Sequence, residues 1–501
     1  MRISIAAVPI LTAALGVPVQ AAWADVTARD VWATWQSMAQ GYEQTIDVEN
    51  ETYSGGILTL SGITTTMTVP DGILEGRLSE LVLSEQGDGT VVLSMPETYP
   101  FSFSAEGVDG EEITLSMRFE HQGLSLVASG EPGAIEYDFS AANMAVVLDE
   151  LQESDVTADM AVSALLTDVS GTYSVLEGTP QTIVSQFLAS NMTLDIAFSE
   201  DTSDASSRMS VSLSDLDSRS TGSISPFSGG RDLAGLLRAG LSSSGAMTTS
   251  GSEFSLSMND ETDESFSMSG TSGASILEVD LGDDGIRYSG TSSDVAAEFE
   301  AATLSMPPVA LQIAETGGEV QMPLLATEDD KDFGIKLDFS DLTASDGLWG
   351  MIDPSGALPR DPANLQLDIS GVGKWAIDIS DPEAIADPST IGGLPGEVST
   401  LTLNGLLLSI LGAELTGTGD FSFNNEGFQP LPSGTVNLSL TGGNSAIDTL
   451  VSAGLVPEDQ AMGARMMLGL FARPGEGDDE LVTTIEVQED GSVLANGQRI
   501  R

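Results

Sequence analysis

Alternation of apolar and small polar residues with a period of two runs through most of this chain and narrows its folding options more than any other feature. Phe101-Ser102-Phe103-Ser104 alternates, as do Ile113 to Phe119, Ile135 to Phe139, Met192 to Ile196, Met209 to Leu213 and Phe254 to Met258. The pattern returns at Phe266 to Met268, Leu277 to Leu281, Phe333 to Phe339, Leu365 to Ile369, Trp375 to Ile379, Leu401 to Leu403 and Val436 to Leu440. Successive side chains of a strand point to opposite faces, so each segment offers one apolar and one wet face, the habit of antiparallel sheets. Gly, Asp, Asn and Ser punctuate the gaps, as at Gly87-Asp88-Gly89 and Gly282-Asp283-Asp284-Gly285. Strands of this kind must bring their apolar faces together. The expected fold is therefore mainly β: an extended curled antiparallel sheet or a β-sandwich in two halves, with a few short helices.

The helices are few. Thr27 and Asp30 form a capping-box-like start, and Val31, Trp35, Met38 and Tyr42 recur at helical spacing, with Trp32 and Ala39 widening the stripe. This helix should end near Gly41 and pack its Trp-rich face on the end of a sheet. It lacks the Lys and Arg cluster of a membrane-surface helix. Further helices are expected at Asp232 to Ala239, Ala446 to Ala453 and Pro457 to Phe471, while Val146 to Leu151 and Ile183 to Leu188 fit strand or helix equally.

The first residues carry an address. Arg2 precedes an apolar run from Ile3 to Val19, and Ala22-Trp23-Ala24 offers the small-x-small pattern of a cleavage site. Residues 1–24 are thus expected to be a secretory signal, which places the protein in the periplasm and leaves it outside the membrane after cleavage. The remainder divides into an N-terminal β-rich half, 25–198, a Ser- and Gly-rich looser segment, 199–275, and a C-terminal β-rich half, 276–501.

Composition excludes several chemistries. The chain has no Cys, which removes a cysteine lipid anchor, disulfides, thiolate metal sites and thiol catalysis. Its 76 acidic residues face 17 basic ones, a formal charge of −59, and no Lys or Arg lies between Arg118 and Arg208. Loss of Arg2 with the signal makes the charge more negative still. Such a surface repels nucleic acid, whose phosphates find no cations on it.

Little in the sequence marks a reaction centre. His121, the one histidine, sits at the end of an alternating strand and reads as a polar residue at a hairpin end. No Gly-x-Ser-x-Gly elbow accompanies it. Paired carboxylates are too numerous to mark a glycosidase cleft. Asp283-Asp284, Glu328-Asp329-Asp330 and Asp478-Asp479-Glu480 offer oxygen ligands to calcium, but none has the spacing of the twelve-residue calcium loop, and Asp favours turns on its own account. Arg360 should pair with nearby carboxylates in a proline-set connection after Trp349. No catalytic, cofactor-binding or metal-binding residue is assigned.

Three stretches carry a family resemblance. Leu81 to Val91 with Pro96-Glu97, Leu348 to Pro354 with Leu358 to Pro362, and Asp490 to Ile500 together resemble the domain-of-unknown-function family numbered 2125, exported proteins of alphaproteobacteria. The likeness runs from about Val26 to the C-terminus and implies a β-rich periplasmic protein with no assigned activity. Leu403 to Leu408 and Gly412 to Gly419 are similar to β-repeats of AsmA-type envelope proteins, which implies lipid movement through an apolar β-groove. The expectation is a non-enzymatic envelope protein that binds or passes a lipid or other apolar ligand along such a groove. The alternative is an acidic module docking on other envelope proteins, with calcium as a candidate ligand. An apolar groove open to solvent would favour the first, and a fully filled interior the second.

Overall fold

The computed structural model describes residues 25–41, 44–69, 72–106, 112–152, 158–200, 205–224, 233–260, 265–301, 308–379, 395–426 and 429–501. The expected signal, 1–24, lies outside the described residues, as does Tyr42 of the first helical stripe. All 26 strands among the described residues belong to one antiparallel sheet, so of the two architectures expected the chain adopts the single curled sheet. Apart from the helix Leu233–Arg238 and short turns, the described residues of the Ser- and Gly-rich segment lie in that same sheet, as the strands Ser206–Ile224, Ser242–Thr249, Gly251–Asn259 and Ser265–Ser272.

Spatial order follows sequence order closely. Gln44–Ser54 pairs with Ile57–Val69, and that strand with Gly72–Glu85. Ala134–Gln152, Ala158–Leu176, Gln181–Glu200 and Ser206–Ile224 then lie side by side. Gly285–Ala301, Val309–Met322, Lys331–Ala344, Ala363–Trp375, Gly396–Ile410, Ala413–Asn424, Leu431–Thr441 and Glu480–Val487 continue the series. Between these runs, single positions in the sheet are filled by two collinear strands. Glu112–Gln122 with Ser125–Glu131, and Ser242–Thr249 with Gly251–Asn259, are examples. Both ambiguous stretches, Val146 to Leu151 and Ile183 to Leu188, are strand.

The collinear breaks belong to a crease that crosses the sheet. In Ala158–Leu176 apolar residues alternate as Met160, Val162, Ala164 and Leu166, then as Val169, Tyr173 and Val175, so the phase of the main alternation reverses at Asp168, with Leu165 and Leu176 on the opposite face. Asp168 has φ 48°, a left-handed backbone that re-aims the chain and returns both apolar halves to one side. Asp215, Asp294 and Asp341 do the same in Ser206–Ile224, Gly285–Ala301 and Lys331–Ala344, as Gly62 does in Ile57–Val69. The neighbouring strands reverse phase at the same level, so the register of Gln181–Glu200 against Ala158–Leu176 is the same on both sides of the break, from Leu188↔Ser170 to Asn191↔Thr167. The sheet is thereby folded into two leaves. The first leaf contains Leu58, Leu60 and Val169 to Leu176, and the second contains Ile63 and Met160 to Leu166.

Five helices decorate this sheet among the described residues. α1 (Ala28–Gly41), α2 (Leu233–Arg238), α4 (Gly443–Ser452) and α5 (Glu458–Phe471) match the expected segments. α3 (Asp346–Ile352) was not anticipated, because seven residues ending in a proline-rich turn are too few to show a helical period. α1 is capped as the sequence suggests: the Thr27 amide donates to Asp30 Oδ2 at 3.0 Å, and the Asp30 amide to Thr27 Oγ1 at 3.2 Å. Val31 and Trp32 are buried with Leu58, Leu60, Leu81, Leu83 and Val91, and Trp35 Nε1 donates to Tyr137 Oη at 3.1 Å. Fully burying each of these aliphatic side chains contributes roughly 1.5–3 kcal/mol. α1 therefore closes the N-terminal end of the folded sheet, as its Trp-rich face implied.

Candidate functional site

The apolar faces of the two leaves meet along the crease. Val169, Ala189 and Leu216 of the first leaf pack with Met144, Leu166 and Met192 of the second. Away from this line and from α1, the apolar face is half-buried or open. Met160, Phe198, Met258 and Phe266 lie at the outer rim of the second leaf, and Tyr288 and Val320 lie in the first, all counted among the exposed hydrophobics. The result is a valley lined by Leu, Ile, Val, Met and Phe, filled at its N-terminal end by α1 and accessible along the rest.

Glycines shape its widest part. Met247, Leu277, Gly290, Gly318 and Leu337 are successive register partners across five neighbouring sheet positions. The two glycines place no side chain where the other strands place Leu or Met. A concavity of about 540 Å³ occupies this place, walled by Met247, Leu277, Tyr288, Val320, Leu337 and Phe339. At the level of the crease its lining turns to hydroxyls: Thr249, Ser275, Ser292 and Thr316. Two of these, Ser275 and Ser292, have Oγ atoms 2.8 Å apart, and Ser275 continues the chain beyond the lining to Ser272 at 3.3 Å, which in turn lies 2.8 Å from Ser252. An apolar wall of this volume with a few convergent polar groups is the ordinary form of a small-molecule site.

A second concavity, about 640 Å³, lies on the polar outer face and holds Arg287 and Lys336. Arg287 is engaged by Glu319 at 2.9 Å and by Asp280 at 3.5 Å, and Lys336 by Glu319 at 3.8 Å. Its cations are already neutralised, which leaves it a solvated charge network.

The residues singled out in the sequence are dispersed. His121 does lie at a strand end beside the turn at Gly123, but its side chain points into the valley and not to water. It is 8% exposed, contacts Phe119, and has no hydrogen-bond partner on either ring nitrogen. The alternation from Met117 and Phe119 carries it inward. Arg360 pairs with Asp346 and lies over the Trp349 ring at 5.8 Å, as expected of structural glue. Asp479 accepts from the Asn444 and Ser445 amides at 3.2 and 2.8 Å and so caps α4, while Glu480 accepts from the Gly477 amide at 2.7 Å. Asp284 pairs with Lys331. Among the described residues, no three acidic or imidazole groups gather as a metal site. No described helix is long and apolar enough to cross a membrane.

One signal in the sequence could have revealed the crease. Thr167-Asp168-Val169, Ser214-Asp215-Leu216, Ser293-Asp294-Val295 and Ser340-Asp341-Leu342 repeat a hydroxyl–Asp–aliphatic triplet at the four left-handed aspartates of the crease. The spacing within each pair, 168 to 215 and 294 to 341, is 47 residues in both.

Residues 234–500, just over half of the chain, match the family model described as an uncharacterized protein conserved in bacteria, DUF2125. The match begins within α2 and takes in two of the three stretches that carried the resemblance, from Leu348 and from Asp490. No curated protein and no solved structure matches the chain.

Proposed function

We propose that this protein, which belongs to the DUF2125 family, is a non-enzymatic protein of the periplasm that binds or passes a lipid or other apolar ligand along its creased sheet. The observation that carries the reading is the glycine-widened hollow of about 540 Å³, with apolar walls and a hydroxyl-bearing floor. Burying an acyl chain there removes apolar surface of both partners from water, at roughly 25 cal/mol per Å². The strongly acidic exterior sets the ligand's entry under a negative field, which disfavours anionic headgroups at low ionic strength. The address at residues 1–24 supports the location.

The test is mass spectrometry of organic extracts from the mature protein, purified without detergent from its own periplasm. A stoichiometric lipid, absent from a control protein of similar charge, is the expected outcome. A clean extract from folded protein would remove the lipid reading. Recovery of the protein in the cytosolic fraction would remove the periplasmic one.

A second reading has its own observation. On α5, Met462, Met466 and Leu470 are 71%, 72% and 56% exposed along one face, more than any exposed apolar residue of the strands. This face favours docking of another envelope protein. It would be tested by replacing Met462 and Met466 with Gln and comparing the proteins crosslinked to each form in the cell.

A further inference from the structure

Resting on the ligand-binding reading above, the geometry points to His121 as a polar anchor for the head of an uncharged, hydroxyl-bearing amphiphile whose chain lies along the valley. The imidazole is more than nine-tenths buried, and both Nδ1 and Nε2 lack a hydrogen-bond partner. Leaving buried polar atoms unpaired costs about 1–3 kcal/mol each, a cost that a structural position would shed by carrying an apolar residue. The register partner of His121 is Met144, its ring neighbour is Phe119, and the Phe119 ring stacks in turn on Tyr99 at 5.0 Å. On the side away from Met144 the His121 amide donates to the Glu97 carbonyl at 2.8 Å, while the Glu97 side chain is exposed and both ring nitrogens stay unpaired. The charged residues beside it in sequence, Arg118 and Glu120, point to the outer face and bind each other at 2.7 Å.

Position adds to the case. His121 lies two residues from the crease at Gly123, which has φ 67°. Its partner Met144 belongs to the cluster formed by Val169, Ala189 and Leu216. The ring therefore sits on the valley floor, where the α1-filled end gives way to the open part, and Met144 beside it is a flexible side chain able to repack. A neutral imidazole carries one donor and one acceptor on opposite sides of the ring, and a hydroxyl group can meet either one, accepting from the N–H or donating to the bare nitrogen. A carboxylate or phosphate would match only the donor and would enter against a formal charge of −59.

Because the chain has one histidine, its ring ¹⁵N and ¹H resonances are assigned without ambiguity. The experiment titrates the folded full chain with 1-decanol and separately with decane. It follows the imidazole resonances and the displacement of the neutral apolar probe N-phenyl-1-naphthylamine, in the wild type and in His121→Phe. The expected result is that both compounds displace the probe and only decanol shifts the imidazole signals. His121→Phe should then lose about tenfold in decanol affinity while keeping that for decane, as expected for one hydrogen bond. Displacement by both compounds with an unmoved imidazole would overturn the anchor and leave the valley reading standing. So would exchange cross-peaks showing a buried water as the ring's only partner. If neither compound displaces the probe, the valley reading fails and the anchor with it. The wild-type spectra decide the matter even if the variant does not fold.

Discussion

Asp353 shows how much one side chain can hold in this molecule. Its Oδ2 accepts from the Leu358 amide at 2.7 Å and its Oδ1 from the Ser355 hydroxyl at 2.7 Å, while its own amide closes α3 on the Trp349 carbonyl at 2.7 Å. The bond from the Leu358 amide, then that from Ser355, holds its carboxyl below the usual aspartate value. A carboxyl whose pKa is lower folded than unfolded stabilises the fold above its unfolded pKa, and that stabilisation disappears as pH falls through the folded value. Asp353→Asn should therefore lower the thermal midpoint at neutral pH, and the gap to wild type should close in strong acid. A gap that persisted unchanged below about pH 2 would show that the proline-set turn depends on shape and not on charge.

At the scale of the element, the crease decides what a strand can be. Ser250 Oγ donates to Asp215 Oδ2 at 2.7 Å, and Ser190 Oγ donates to Asp168 Oδ2 at 3.0 Å, so the left-handed aspartates are held from the adjoining sheet position. Left-handed backbone costs an ordinary residue about 1–2 kcal/mol, and glycine almost nothing. Asp215→Val should lose at least that much in urea unfolding, and Asp215→Gly clearly less. Equal losses would mean that the Ser250 hydrogen bond, and not the backbone conformation, maintains the bend. Strands were easy to see in the sequence because one apolar face leaves a period of two. The crease was not, because its sign is a reversal of phase, visible only when the two halves of one strand are compared. Val146-Val147-Leu148 stayed ambiguous for a related reason: near the break, apolar residues occupy both phases. His121 misled because a polar residue beside a turn is ordinarily solvated, and only the register with Met144 brings it onto the valley floor. The hydroxyl floor escaped notice too, since Thr249, Ser275, Ser292 and Thr316 are separated by 17 to 26 residues in sequence and meet only through pairing.

At the scale of the whole molecule, charge and shape act against each other. A formal charge of −59 spread over a thin folded sheet repels itself, and the repulsion reaches about 30 Å at 0.01 M salt but only about 3 Å at 1 M. The thermal midpoint should rise as sodium chloride is raised between those limits, with potassium chloride giving the same curve because the effect is screening. A flat response would show that carboxylates are balanced locally, as Glu319 is by Arg287 and Lys336, and that the net charge is irrelevant to folding. A response to calcium far beyond that to sodium at equal ionic strength would instead point to specific ligation.

Among the described residues the strand Gln44–Ser54 is paired on one side only, and the sheet never returns to close upon it. A closed barrel has a circumference that fixes how many strands it can hold. An open, creased sheet has no such constraint, since each sheet position answers only to the positions on either side of it. Inserting or deleting an antiparallel pair with its aspartate triplet would leave every other pairing intact. The valley is therefore a ruler whose length evolution can reset in whole strand pairs, and the span of chain it accommodates can change without redesign of its ends.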